Sequence, residues 1–173
     1  MRVVRSIRIG GMGKAELLRE LRERGVEFNE AGLKLFESDR FLTAEESGII
    51  TVAEVSVADL GYHQGATMRQ LFESAALHGL EPCPLEVGPH FRLQYLDQPE
   101  GYWGYPPSQH RAPPGSVTIV SRPLSSDEDF PKGFYLRRIQ GVLWLRGFRS
   151  GPDHIYSPED RFAFFWPSGA IVG

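Results

Sequence analysis

Two stretches of the chain interleave aromatic rings with guanidinium groups, the residue types that together stack on planar ligands and hold anions by bidentate hydrogen bonds. In Phe91-Arg92-Leu93-Gln94-Tyr95, read as a strand, Arg92 and Gln94 share one face, and Phe91, Leu93 and Tyr95 share the other. Further on, Tyr135 and Arg137 have one parity, and Val142, Trp144 and Arg146 another, on two runs joined by Gln140-Gly141. Tyr95, Trp103, Tyr135 and Trp144 would supply stacking surface, while Arg92, Arg137 and Arg146 would orient an anionic or amide group. The competing reading is structural: each arginine stacks at a sheet edge and meets a loop carboxylate such as Asp153 or Asp160.

Other chemistry is less well supported. Ile9-Gly10-Gly11-Met12-Gly13-Lys14 has the strand, glycine turn and helix start of a phosphate-binding loop. However, Arg8 stands where that loop needs its first glycine, and Ala15 replaces the magnesium-binding hydroxyl. ATP binding through Lys14 is therefore not expected. Cys83 would need a base among His63, His78, His90, His110 and His154 to act as a nucleophile, and between Pro82 and Pro84 it reads better as a small buried residue. The histidines lack paired helical spacing, so no metal is expected. Asp127-Glu128-Asp129, flanked by Ser125, Ser126 and Pro131, reads as a solvated turn; Asp97 and Glu100 are discounted in the same way.

The elements that must position these residues follow from periodicity. Val3, Ile7 and Ile9 alternate with Arg2 and Arg8 as in a half-buried strand. Lys14 to Arg24 reads as a helix burying Leu17, Leu18 and Leu21, stopped at Gly25, and Asn29 caps a second helix to about Glu37. Ile49 to Val57 is a strand. Thr67 and Gln70 form a capping box ahead of the stripe Met68, Leu71, Phe72, Ala75, which ends at Gly79. Beyond Pro82 the pattern predicts strands at Phe91–Tyr95, Val117–Ser121, Phe134–Ile139, Val142–Arg146 and Phe162–Phe165, with a Pro-rich surface loop from Tyr102 to Pro114. All 13 prolines lie at or after Pro82. The expected architecture is one α+β domain over 1–173, a helix-rich part (1–81) with order β-α-α-β-α packed on a mainly antiparallel, Pro- and aromatic-rich β part (82–173).

The chain has 173 residues, 41% of them hydrophobic and 24% charged, and a formal net charge of -3. A pI near 6.0 lacks the positive field that nucleic acid or an anionic membrane needs, so neither is an expected partner. Of the 19 basic residues only Lys14, Lys34 and Lys132 are lysine, a bias that coding composition explains as readily as recognition does. One cysteine and no long apolar run near Met1 make a reducing cytoplasm the expected location.

Leu93 to Gly101 and Phe130 to Arg149, with Leu35 to Asp39 and Leu60 to Thr67, resemble a family of short uncharacterised bacterial proteins. Some of these are carried on mobile gene cassettes, and they are sometimes labelled helicase. The resemblance implies a compact bacterial accessory protein and brings no catalytic residues. A helicase motor needs a complete phosphate loop and an acidic magnesium motif, which this sequence lacks. The leading expectation is a binding protein for a small ligand or a protein partner, working through the aromatic and arginine surface without a cofactor. One alternative is a homo-oligomer that uses this surface for self-association; another is a hydrolase using His90 or His110 with a carboxylate.

Overall fold

In the computed structural model, which describes residues 2–101 and 115–168, the chain opens with β1 (Val3–Ile9). Gly10 and Gly11, both at positive φ, turn it into α1 (Lys14–Glu23), whose Leu17 and Leu21 are buried. Gly25 ends α1 with a φ of +76, and the Val26 N–H returns to the Leu21 carbonyl at 3.0 Å, closing the last helical turn. After β2 (Glu27–Phe28), Asn29 caps α2 (Glu30–Glu37) through Oδ1, which accepts the Gly32 N–H at 2.8 Å. β3 (Gly48–Ser56) and a short 3₁₀ turn (Ala58–Leu60) lead to α3 (Met68–Leu77), which carries the expected Thr67/Gln70 capping box. Next come α4 (Val87–Gln94), β4 (Val117–Ile119), β5 (Gly133–Ile139), β6 (Val142–Phe148) and β7 (Arg161–Phe165).

The α+β class is as the sequence indicates, and the sheet ties the two halves together more closely than expected. Seven strands form one mixed sheet in the order β1-β3-β7-β4-β5-β6-β2. The first half therefore does not lie on the sheet as a separate layer: it supplies both edge strands and the neighbour of one of them. The β4–β7 and β2–β6 pairs are parallel, and the other pairings are antiparallel. Side chains alternate across the sheet, so each face has its own apolar cluster. One cluster joins α1, α2 and α4 to Val52, Phe134, Leu136 and Leu145; the other joins α3 to Ala53, Val55, Phe162 and Phe164. We call these the three-helix face and the α3 face.

One expected strand is a helix. Phe91–Tyr95 belongs to α4 and its C-terminal cap, because Pro89 sits in the first turn of that helix, where the missing N–H has no intrahelical acceptor to serve. The packing around β6 is also tight. A Cβ on Gly147 would come within 2.6 Å of the Ala31 backbone, so α2 lies directly on the strand there. Asn29 fixes the contact, as Oδ1 accepts the Gly147 N–H at 2.8 Å and Nδ2 donates to the Gly147 carbonyl at 2.9 Å.

Candidate functional site

The β5–β6 hairpin brings four of the expected residues together. Gln140 and Gly141, with φ of 53 and 77, make the two-residue turn whose backbone twist matches that of the strands. Glu100 accepts the Gly141 N–H, which fixes the turn from outside. The turn sets the register: Tyr135 stands opposite Arg146, and Arg137 opposite Trp144. All four side chains consequently project from the α3 face, away from Phe134, Leu136 and Leu145.

The resulting ladder is a cation–aromatic stack. The Arg146 guanidinium carbon lies 4.9 Å from the Trp144 ring centre and 5.9 Å from that of Tyr135, and its Nε donates to the Tyr135 hydroxyl at 2.8 Å. The Arg137 guanidinium lies 5.7 Å from the same Trp144 ring. Arg137 is buried, and burial first, then the neighbouring charge of Arg146, lowers its pKa. Arg146 is half-buried and has no carboxylate partner among the described residues. Arg137 and Arg146 thus set two guanidinium groups against one indole ring on the same face of the sheet.

Next to the ladder is a cleft of about 280 Å³. Phe148, two residues beyond Arg146 on the same side of β6, forms part of its wall, together with Met68 and Phe72 of α3, Val120, Pro152 and the carboxylate-bearing Glu128. Gly133 opens this wall, because a Cβ there would meet Ser121 Oγ at 2.9 Å and the Phe148 ring at 3.3 Å. Ser121 also lines the cleft, and its buried hydroxyl has no hydrogen-bond partner among the described residues. Lys132, another lining residue, donates to the Asp127 carbonyl at 3.0 Å. No residue pattern announces the cleft, since α3, the 120–132 segment and the end of β6 meet only in the fold.

The remaining expected site residues lie elsewhere. Trp103 is outside the described residues. Arg92, on α4, is on the three-helix face and wholly buried. Its Nη1 donates to Gln98 Oε1 at 2.7 Å, the Trp144 carbonyl at 3.2 Å and the Arg137 carbonyl at 3.4 Å, and Nη2 donates to the Tyr95 carbonyl. Burial without a carboxylate pulls its pKa down to about 10. Arg92 thus holds the underside of the hairpin that carries the ladder, and the strand that was to present it outward with Gln94 does not exist. Tyr95 stacks on Arg5, whose guanidinium is 4.1 Å from the ring centre.

Arg5 belongs to a charged cluster that periodicity did not reveal. The Glu54 carboxylate, buried on β3, lies 2.5 Å from Arg161 Nε and 3.6 Å from Arg5 Nη2. A lone Glu in the apolar run Ile49–Val57 was the available signal. His90 does meet a carboxylate, that of Glu86 in the turn just before α4, though not at the surface. Glu86 Oε2 lies 3.5 Å from its Nε2, which also accepts the Gly10 N–H at 3.2 Å, and both side chains are buried. Burial is the main reason the His90 pKa is lowered, with Glu86 opposing it. His110 lies outside the described residues.

The other motifs have local structural roles. Lys14 Nζ donates to the Ser38 carbonyl at 2.8 Å, and a Cβ on Gly10 would sit 2.1 Å from the Glu46 carbonyl oxygen, so the glycine turn is packed against backbone. Cys83 is buried, which pushes its thiol pKa up. Asp127 Oδ1 accepts the Asp129 N–H at 2.9 Å in the expected turn. Among the described residues, no three His, Cys, Asp or Glu side chains gather as a metal site would require, and no helix is long and apolar enough to cross a membrane. Comparison of the chain with protein-family models, curated proteins and solved structures gave no match.

Proposed function

We propose that the chain is a binding protein for a small anionic ligand with an apolar or aromatic body. The anionic group would bond to Arg146 over the Trp144 ring, with the charge of Arg137 behind it, and the body would enter the cleft between Phe72 and Phe148. The observation that carries this reading is the register of β5 and β6, which stacks Arg146 on Trp144 with no carboxylate paired to it among the described residues and sets it beside a mainly apolar recess that Glu128 and Lys132 also line. A guanidinium in such a setting recognises carboxylate or phosphate oxygens by charge-assisted bonds, and a half-buried indole supplies stacking area. Following the family resemblance, we take the chain to be a bacterial accessory protein working in the cytoplasm, of the kind carried on mobile gene cassettes.

Thermal-shift and tryptophan-fluorescence titrations against inorganic phosphate, nucleoside monophosphates and aromatic carboxylates test the proposal. We expect at least one of these to bind, with affinity falling about tenfold or more in Arg146→Ala, as the loss of a charged hydrogen bond implies. Binding unchanged in Arg146→Ala, or no response to any of the probes, would overturn it. Light scattering at high protein concentration addresses the homo-oligomer: self-association that Arg146→Ala abolishes would assign the surface to a second copy of the chain.

A further inference from the structure

Among the described residues β1 is an edge strand, hydrogen-bonded to β3 on one side only. At its C-terminal end the open side is closed by a side chain: the Arg8 N–H donates to Gln94 Oε1 at 2.9 Å, and Gln94 Nε2 donates to the Arg8 carbonyl at 2.7 Å. This two-point contact imitates one residue of a neighbouring strand. It also shows which way the backbone groups point. Arg8 turns its N–H and C=O away from β3, and in an antiparallel ladder every second residue does the same, so those of Ser6 and Val4 face outward too. Thr51, opposite Ser6, agrees with this, because its carbonyl accepts the Trp166 N–H at 2.9 Å on the β7 side.

The open segment is accessible and positively charged. Val4 is 50% exposed, and Arg2, Ser6 and Arg8 are exposed on the same face of the strand. Arg2 lies over the Trp166 ring at 4.8 Å, and neither Arg2 nor Arg8 has a carboxylate partner among the described residues. Exposed N–H and C=O groups in such a row are a template for strand addition. Pairing with a second copy of the chain is disfavoured by charge. The antiparallel register that uses both Val4 and Ser6 would set Arg2 against Arg8 and Arg5 against itself, and like charges directly opposite destabilise a ladder.

We propose that the free edge of β1 at Val4 and Ser6 receives an extended acidic segment of a partner protein as an added antiparallel strand, with carboxylates opposite Arg2 and Arg8 and the residue opposite Arg8 displacing the Gln94 side chain. This surface is separate from the ladder and the cleft, at the other end of the strand order, and does not depend on them. The capped peptide Glu-Thr-Val-Thr-Val-Thr-Glu is a suitable probe, since its two glutamates fall opposite the two arginines in either direction. In ¹⁵N-labelled protein we expect the Val4 and Ser6 amides to shift and their hydrogen exchange to slow as peptide is added. The same peptide with lysine for glutamate should bind about three- to tenfold more weakly, as two exposed charge pairs imply. Ser6→Pro removes only an outward N–H and should abolish the response. Should that variant fail to fold, the double variant Arg2→Glu, Arg8→Glu should reverse the preference to the lysine peptide. No amide response, charge-independent binding, or protection of these amides by raising the concentration of the protein alone would overturn the proposal.

Discussion

On the three-helix face of the β5–β6 hairpin, Arg92 has no exposed surface and gives its guanidinium to the Gln98 side chain and to backbone carbonyls of the hairpin and of Tyr95. On the α3 face of the same hairpin, Arg146 lies over Trp144 and, among the described residues, bonds only to a tyrosine hydroxyl. Both are arginines within two residues of aromatic ones in sequence, and their surroundings divide their roles. Arg92 is enclosed by acceptors it must satisfy, which makes it part of the framework. Arg146 keeps most of its donors without an acceptor among the described residues. The Glu54 cluster extends the contrast, since on the three-helix face Arg5 and Arg161 have an internal carboxylate, whereas the ladder has none among the described residues.

The largest effect expected from breaking this contrast is that of Arg92→Ala. It leaves several buried acceptors unsatisfied and should cost about 3–5 kcal/mol in urea unfolding, with the ladder lost along with the hairpin. Glu54→Gln should cost about 2–3 kcal/mol by the same measurement, less than a wholly buried pair because Arg5 and Arg161 are partly exposed.

A smaller effect is set by pH through His90, also on the three-helix face. Its folded pKa is below the ordinary value of 6.5, so below that pH the unfolded chain binds more protons than the folded one. Its contribution to stability is therefore complete above about pH 6.5 and declines as the pH falls towards the folded pKa. His90→Gln, which can still accept the Gly10 N–H, should flatten that part of the pH profile; an unchanged slope would show that other groups cause it. The smallest effect on stability belongs to the other side of the hairpin. Arg146→Ala should change the unfolding free energy by less than about 1 kcal/mol, although it removes the proposed ligand contact. A loss as large as that of Arg92→Ala would make the two arginines equivalent and remove the distinction drawn between them.

The elements marked by local chemistry were readable in the sequence. Asn29, the Thr67/Gln70 box and the stop at Gly25 identify three helices, because caps and left-handed glycines act within a few residues of where they stand. The turn at Gln140-Gly141 likewise made the pairing of Tyr135 and Arg137 with Trp144 and Arg146 foreseeable. α4 was misread because Pro82, Pro84 and Pro89 look like helix breakers, while a proline in a first turn breaks nothing. β2 has only two residues and owes its existence to parallel pairing with β6, which leaves no local signature. The cleft and the Glu54 cluster were missed for a related reason: their members are separated by dozens of residues and meet only across the sheet.

The α+β class, most of the elements and the aromatic and arginine composition of the hairpin are legible along the chain, since propensity, capping and side-chain alternation are properties of neighbouring residues. The choice of which arginines are enclosed by internal acceptors is made by the fold. That choice depends on burial and on which carbonyls or carboxylates lie within reach, and both are set by the order of strands in the sheet.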